Sequence, residues 1–225
     1  MKDLKKIKIT KNGPYAVSGN IPLSRKIVIS DEDGIPEKWG DGKNYEHENN
    51  YSLCRCGKSK NKPFCDGSHI TTKFDGTETA DNKPYLEDAE DTYGEELNLK
   101  DNTKFCSGAG FCHRLKGTWE LTKSNNKYEK EAAIQQSCNC PSGRLCMYKK
   151  GKAIEPEFEK SIGVSHDKER DISGPLLVRG KISVESEKGK EYEKRNRVTL
   201  CRCGKSKNKP FCDGCHIDIK FNDKS

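Results

Sequence analysis

The stretch CRCGKSKNKPFCDG occupies residues 54–67 and recurs unchanged at 201–214. Likeness continues outward on both sides. NGPYAVSGNIPLS (12–24) resembles SGPLLVRGKISVE (173–185), YSLCRC (51–56) resembles VTLCRC (198–203), and SHITTKF (68–74) resembles CHIDIKF (215–221). The repeat therefore runs over residues 12–74 and again over 173–221, and duplication on this scale marks a repeated structural unit. Each unit opens on Gly-Pro and a short apolar alternation, Tyr15/Val17 in one and Leu176/Val178 in the other, and Ile27–Ile29 adds a β-favouring run. These patterns predict short strands. The insertion DEDGIPEKWGDGK (31–43) predicts a turn-rich loop. Alternation at Ile217, Ile219 and Phe221 predicts extended structure after the second loop.

Within the repeat, Cys54, Cys56, Cys65 and His69, then Cys201, Cys203, Cys212 and His216, follow the spacing C-X-C-X8-C-X3-H. Thiolates are soft, strongly donating ligands for iron or zinc. A Cys-X-Cys pair presents two sulfurs to one side of a centre, and the loop containing Gly57 and Pro63 can fold the third across. Asp66-Gly67 predicts a tight turn leading into a short helix. A tetrahedral zinc and a [2Fe–2S] cluster both accept four such ligands, and the spacing alone does not separate them. Lys58, Lys60 and Lys62, with Lys205, Lys207 and Lys209, surround the loops with positive charge suited to an acidic partner.

The pattern C-X-C-X2-S-X3-P-X-C-D-G-X-H resembles the CDGSH iron–sulfur family, the mitoNEET-like proteins. The first loop ends in Cys65-Asp66-Gly67-Ser68-His69, and Ser59 and Pro63, with Ser206 and Pro210, match as well. The resemblance implies a [2Fe–2S] cluster on three cysteines and one histidine in each copy. A neutral imidazole in place of a thiolate makes such a centre less negative and raises its potential. The resemblance also implies pairing of two such units, which within one chain would pack about an internal pseudo-two-fold axis and leave it a monomer. The copies differ at Cys215, which stands where the first has Ser68.

Between the repeats lies a second kind of constellation, Cys106, Cys112, Cys138, Cys140 and Cys146. FC-X5-CHR and CNCPSGRL resemble the divergent single-cluster ferredoxin-like segment that accompanies some CDGSH proteins. That resemblance implies a [4Fe–4S] or [3Fe–4S] cluster on Cys106, Cys112, Cys138 and Cys140, with Cys146 a spare or substitute ligand and a zinc site the alternative. EKEAAIQQ (129–136) predicts a helix running toward Cys138 and ending by Pro141 and Gly143. Residues 75–96 read as a polar joining segment, acidic at Glu87, Asp88, Glu90, Asp91, Glu95 and Glu96, and 147–172 as a connector.

The bulk composition agrees with a metal-stapled chain. Only 31% of residues are apolar against 34% charged, so one large core is not expected, and thin-cored domains need a staple. The 12 cysteines fall in tight clusters, which suits metal thiolates more than long-range disulfides. MKDLKKIKIT lacks the apolar stretch of a signal peptide, and no run has membrane-spanning length. A reducing cytoplasm is the expected compartment. The formal charge of +7 comes without a nucleic-acid-binding motif, and no nucleotide fingerprint or nucleophile arrangement points to an enzyme. The expected fold class is α+β: two small β-rich CDGSH domains (1–80 and 172–225) packed as an internal pseudo-dimer around a small irregular, helical ferredoxin-like segment (97–150). The expected function is a multi-cluster iron–sulfur protein in electron transfer or redox sensing, with a protein redox partner. The alternatives are cluster storage or transfer to an apo-acceptor, and a structural zinc-binding interaction protein.

Overall fold

A computed structural model describes residues 5–223. The N-terminal part contributes β1 (Lys6–Ile9), β2 (Tyr15–Ser18), β3 (Leu23–Ser30), β4 (Pro36–Asn44), β5 (Tyr51–Leu53) and the short helix α1 (Ser68–Thr71). The middle contains β6 (Glu90–Tyr93), β7 (Leu97–Asp101), α2 (Thr118–Lys123), α3 (Lys127–Asn139), β8 (Leu145–Lys149) and β9 (Lys152–Ile154). The C-terminal part adds β10 (Ser161–Asp167), β11 (Ile172–Arg179), β12 (Ser183–Glu185), β13 (Arg197–Leu200) and helix α4 (Cys215–Asp218).

The terminal parts do not form separate sheets. One sheet runs β12-β1-β2-β5 and the other β13-β11-β10-β3-β4. β1 pairs antiparallel with β2 of its own repeat and parallel with β12 of the other. β10 pairs antiparallel with β11 and parallel with β3. Each half thus lends its third strand to the other's sheet, an exchange related by an internal pseudo-two-fold axis. Strands this short cannot bury a sufficient core alone. The exchange joins Ile7, Ile9, Val17 and Leu53 of one half with Ile162, Val164, Val178 and Leu200 of the other in one apolar cluster. The fold is the α+β pseudo-dimer that the duplication predicts.

Three local expectations are corrected. The insertion at 31–43 is not simply a loop: it contains most of β4, which pairs antiparallel with β3 from Ser24↔Asn44 to Ser30↔Pro36, with register shifts between Ser24 and Lys26 and between Ile29 and Ser30. Gly40 and Gly42 hide it from pattern reading; they lie close under β3, where a Cβ would press on the side chains of Ile29 and Arg25 at 2.7 and 2.8 Å. The connector at 147–172 contains β10, a central strand. It is flanked by β11 and β3, and its segment Ile162–Ser165 is continuously buried, so it shows no alternation. After the second loop the chain forms α4, not a strand, because Asp213 and a left-handed Gly214 (φ +86) start a helical turn immediately.

The middle region forms its own sheet, β6-β7-β8-β9, covered by α2 and α3 over Leu97, Leu99, Leu121, Ala133, Leu145 and Met147. The predicted helix is α3. It begins where the Asn126 side chain accepts from the N–H groups of Tyr128 and Glu129, and it stops at Cys140, ahead of Pro141. The acidic segment is tied by lysines: Asp88 to Lys104 (2.6 Å), Asp91 to Lys100 (2.7 Å) and Glu96 to Lys149 (2.8 Å). It also straps the second loop, since the N–H groups of Thr79 and Ala80 donate to the Lys209 carbonyl and the Tyr192 hydroxyl donates to Glu78. Among the described residues no helix is long and apolar enough to cross a membrane.

Candidate metal centres

Both metal loops are built by the same bonds. β5 and β13 each end one residue before the first cysteine. The Cys54 N–H donates to Pro63 O and the Cys65 N–H to Ser52 O; in the second copy Cys201 donates to Pro210 O and Cys212 to Thr199 O. These bonds fold the third cysteine back beside the first two. Both Lys-Pro bonds, 62–63 and 209–210, are cis. The Ser59 and Ser206 hydroxyls donate to Phe64 O (2.6 Å) and Phe211 O (2.7 Å), cinching the turns. Asp66 accepts from the N–H groups of Lys60 and Ser68, and Asp213 from those of Lys207 and Cys215, joining each loop to the helix that carries its histidine. Lys62 and Lys209 are curled back onto the loops, donating to Ser59 O and Ser206 O.

The donors come in pairs. Cys54 and Cys56 sulfurs are 3.8 Å apart, and Cys65 Sγ lies 3.4 Å from His69 Nδ1. The second loop repeats this with 3.6 Å for Cys201–Cys203 and 3.4 Å for Cys212 to His216 Nδ1. Two thiolates held at about 2.3 Å by one tetrahedral metal stand about 3.8 Å apart, and a thiolate and an imidazole nitrogen slightly less. Each pair therefore has the separation of two ligands on one metal. Among the described residues, no three His, Cys, Asp or Glu side chains are grouped to hold a single ion. Two pairs per loop fit a two-iron group better than one zinc. Burial holds the Cys212 thiol well above its ordinary range, and the neighbouring Cys203 together with burial does the same for Cys201. A bound cation relieves that penalty by taking the thiolate. Burial, then the Arg202 guanidinium, pushes the His216 imidazole down to about 4, so it is neutral, the form that ligates a metal.

The loops meet at the pseudo-two-fold axis. A Cβ on Gly57 would lie 2.5 Å from the Cys203 carbonyl oxygen, and one on Gly204 would lie 2.6 Å from that of Cys56. Both glycines have positive φ, +74 and +80. The buried Tyr15 hydroxyl reaches across the repeat boundary to Cys201 O at 2.8 Å. Sequence patterning does not single out Arg55 or Arg202, yet both are buried behind the Cys-X-Cys pairs. Arg55 donates to Thr10 O and Gly76 O; Arg202 donates to Gly174 O and Ser165 O and pairs with Asp223. Their identical placement inside both Cys-Arg-Cys triplets is the signal that marks them.

The two loops have different surroundings. His69 is half-buried and opens on a groove with Lys11, Ile70 and Lys73. His216 is only 6% exposed. The middle region covers it: Gly108 packs on Ile217, and the backbone at Cys106 and Gly108 lies against Gly214.

Three of the middle cysteines line one cavity: Cys106 after a 3-10 turn (Thr103–Phe105), Cys112 within a second (Phe111–His113), and Cys140 at the end of α3. Burial pushes the Cys112 thiol up to about 11, with Cys140 and Cys106 adding to the rise. Arg144 clamps Asp101 with two hydrogen bonds, 2.6 and 2.8 Å, and donates to Cys106 Sγ at 3.1 Å. It is a thiolate-stabilising group that lies within CNCPSGRL (138–145) but that the cysteine spacing alone does not single out. Cys138 is not brought to this cavity. It is the last residue but one of α3, and its thiol faces Ile154 O at 3.8 Å, because two residues of helix rotate it away from Cys140. Cys146 faces Gly143 O and Glu155 instead. The structure thus separates Cys106, Cys112 and Cys140 from Cys138 and Cys146. His113 lies beside Trp119, the rings tilted at 46° with centroids 6.4 Å apart.

A family model described as an iron-binding zinc finger of CDGSH type matches residues 12–70 and 173–217. A second, described as a divergent 4Fe-4S mono-cluster, matches 92–150. No curated protein and no solved structure matches the chain.

Proposed function

We propose, from the premise that this chain belongs to the CDGSH-type iron-binding family with a divergent 4Fe-4S mono-cluster domain between its two copies, that it is a three-centre electron carrier. The iron–sulfur character follows from that membership; the cluster types and the role are our reading. The observation that carries it is the pairing of donors: Cys54 with Cys56 and Cys65 with His69, then Cys201 with Cys203 and Cys212 with His216. These residues would hold two [2Fe–2S] clusters. Cys106, Cys112 and Cys140 would hold the third, as [3Fe–4S] or as [4Fe–4S] with one iron lacking a cysteine from this set. Iron–sulfur clusters supply one-electron chemistry, at potentials set by charge, hydrogen bonds and exposure.

The chain's own residues favour a relay order. Gly57 and Gly204 let the first and second loops touch backbone to backbone, and on its other side the second loop meets the wall of the central cavity, where Gly108 packs on Ile217 and Gly214 lies beside the backbone of residues 106–108. The second centre is therefore the middle one. Arg144, donating to Cys106, stabilises negative charge at the central end. The exposed Lys58 and Lys60 beside the half-open first loop suit an acidic redox partner there. No membrane or nucleic-acid contact is needed in this reading, nor any substrate pocket, and the covalent duplication makes a monomer sufficient.

Purified protein is expected to be brown, with visible absorption bands and iron and acid-labile sulfide in comparable amounts. Colourless protein containing only zinc would overturn the reading. Half-exposure of His69 supports a second reading, donation of the first cluster to an apo-acceptor. Mixing with an apo-ferredoxin reads cluster transfer and mixing with an oxidised holo-ferredoxin reads electron transfer: reduction of the holo-protein without iron transfer to the apo-protein favours the carrier. For the central centre, Cys140→Ala is expected to remove its iron and its electron paramagnetic resonance signal, while Cys138→Ala leaves both. Equal loss in the two variants would return Cys138 to the ligand set.

A further inference from the structure

Ser68 and Cys215 hold the same place in the two units, immediately before the ligand histidine. In the second unit this changes what faces the metal loop. The Cys215 sulfur lies 3.8 Å from the Cys203 sulfur and packs against Cys201, Cys203 and Phe221. That separation equals the distance between Cys54 and Cys56, the pair assigned to one iron in the first loop. Cys215 is also held firmly: its N–H donates to Asp213 at 3.1 Å, and it opens α4. Rotation about χ1 between staggered wells moves a thiol sulfur by about 3 Å without moving the backbone, most of the 3.8 Å that separates the Cys215 sulfur from that of Cys203.

We propose that Cys215 is a reserve ligand of the second centre, taking over from Cys203 on the same iron. This rests on the [2Fe–2S] reading of the second loop. In the exchange the iron–sulfur bond to Cys203 breaks and that thiolate takes a proton from water. The Cys215 thiol gives a proton to water and its sulfur bonds the iron. No electron changes hands and the total charge is unchanged. The first centre has no such reserve, since Ser68 presents a hydroxyl, a harder and weaker donor to iron than a thiolate. The duplicated chain therefore supplies its own control.

The test is iron and acid-labile sulfide per full-length chain, with visible spectra. Cys56→Ala is expected to lose the two irons of one cluster. Cys203→Ala is expected to keep the wild-type content, and Cys203→Ala with Cys215→Ser to lose two irons. If Cys203→Ala loses as much iron as Cys56→Ala, the proposal is wrong. A wild-type chain with no cluster chromophore would instead sink the underlying [2Fe–2S] reading. Should Cys203→Ala not fold, the folded single variant Cys215→Ser serves. With an iron chelator its second centre is expected to bleach several-fold faster than in wild type, and equal rates overturn the proposal.

Discussion

Replacing Gly57 with alanine is expected to strip iron from both terminal loops, although the residue belongs only to the first. Its φ is +74, where an L side chain costs about 1–2 kcal/mol. The added Cβ would also lie 2.5 Å from the Cys203 carbonyl oxygen, and 3.1 Å from Cys203 Cα. Those are backbone atoms of the second loop, so no side-chain rotation relieves the clash. Overpacking of this kind costs about 1–3 kcal/mol more. A total of about 2–5 kcal/mol is a large part of a domain's stability, and the displaced loops would lose their paired donor spacing. Gly204→Ala should mirror it, since its Cβ would meet Cys56 O at 2.6 Å. Gly151→Ala is the control: φ is +74 but nothing lies within 4 Å, so only the backbone penalty applies. Iron per chain and thermal unfolding read out all three. Retention of both terminal clusters in Gly57→Ala would show that the loops are not in backbone contact.

Arg197→Ala is expected to have the second large effect, on the central centre. Arg197 lies on β13 of the second repeat, only 2% exposed, and its guanidinium reaches into the middle region. It donates to the carbonyls of Ser137, Cys138, Cys140 and Leu145 and pairs with Glu155 at 2.7 Å. Removing one partner of a fully buried pair costs about 3–5 kcal/mol, because the other charge is left without compensation; Glu155 keeps 23% of its side chain exposed, which places the loss at the lower end. Here the carbonyls at the end of α3 lose their donor as well, and Cys140 loses the anchor of its backbone. The central iron should fall sharply while the iron of the terminal loops is affected less. Arg197→Lys keeps a charge but not the planar fork and should be intermediate. Unchanged central iron in Arg197→Ala would show that this anchoring does not position Cys140.

Much of the terminal fold was legible from residues alone. The repeated Cys-Arg-Cys and Cys-Asp-Gly segments mark both loops because metal ligation constrains residue type and spacing together. The helix ahead of Cys138 was legible for a similar local reason: good helix formers run up to a proline that cannot continue it. β4 and β10 were not. Gly40, Gly42 and Gly163 interrupt their patterns, and what makes them strands is the partner on each side. Nor was the division of the middle cysteines, since Cys138 and Cys140 are neighbours in the chain but point differently once α3 forms.

The sequence by itself determined that there are two equivalent loops, which residues in them can hold metal, and that Cys215 makes them unequal. These are local properties, carried by spacing of a few residues. Only the tertiary structure decided that the halves exchange strands, that Gly57 and Gly204 bring the loops together, and that the middle region buries His216 while leaving His69 half-open. Those outcomes depend on contacts between residues more than a hundred positions apart. Such contacts are set by which surfaces the short strands must cover to build one core, and no local pattern encodes that choice.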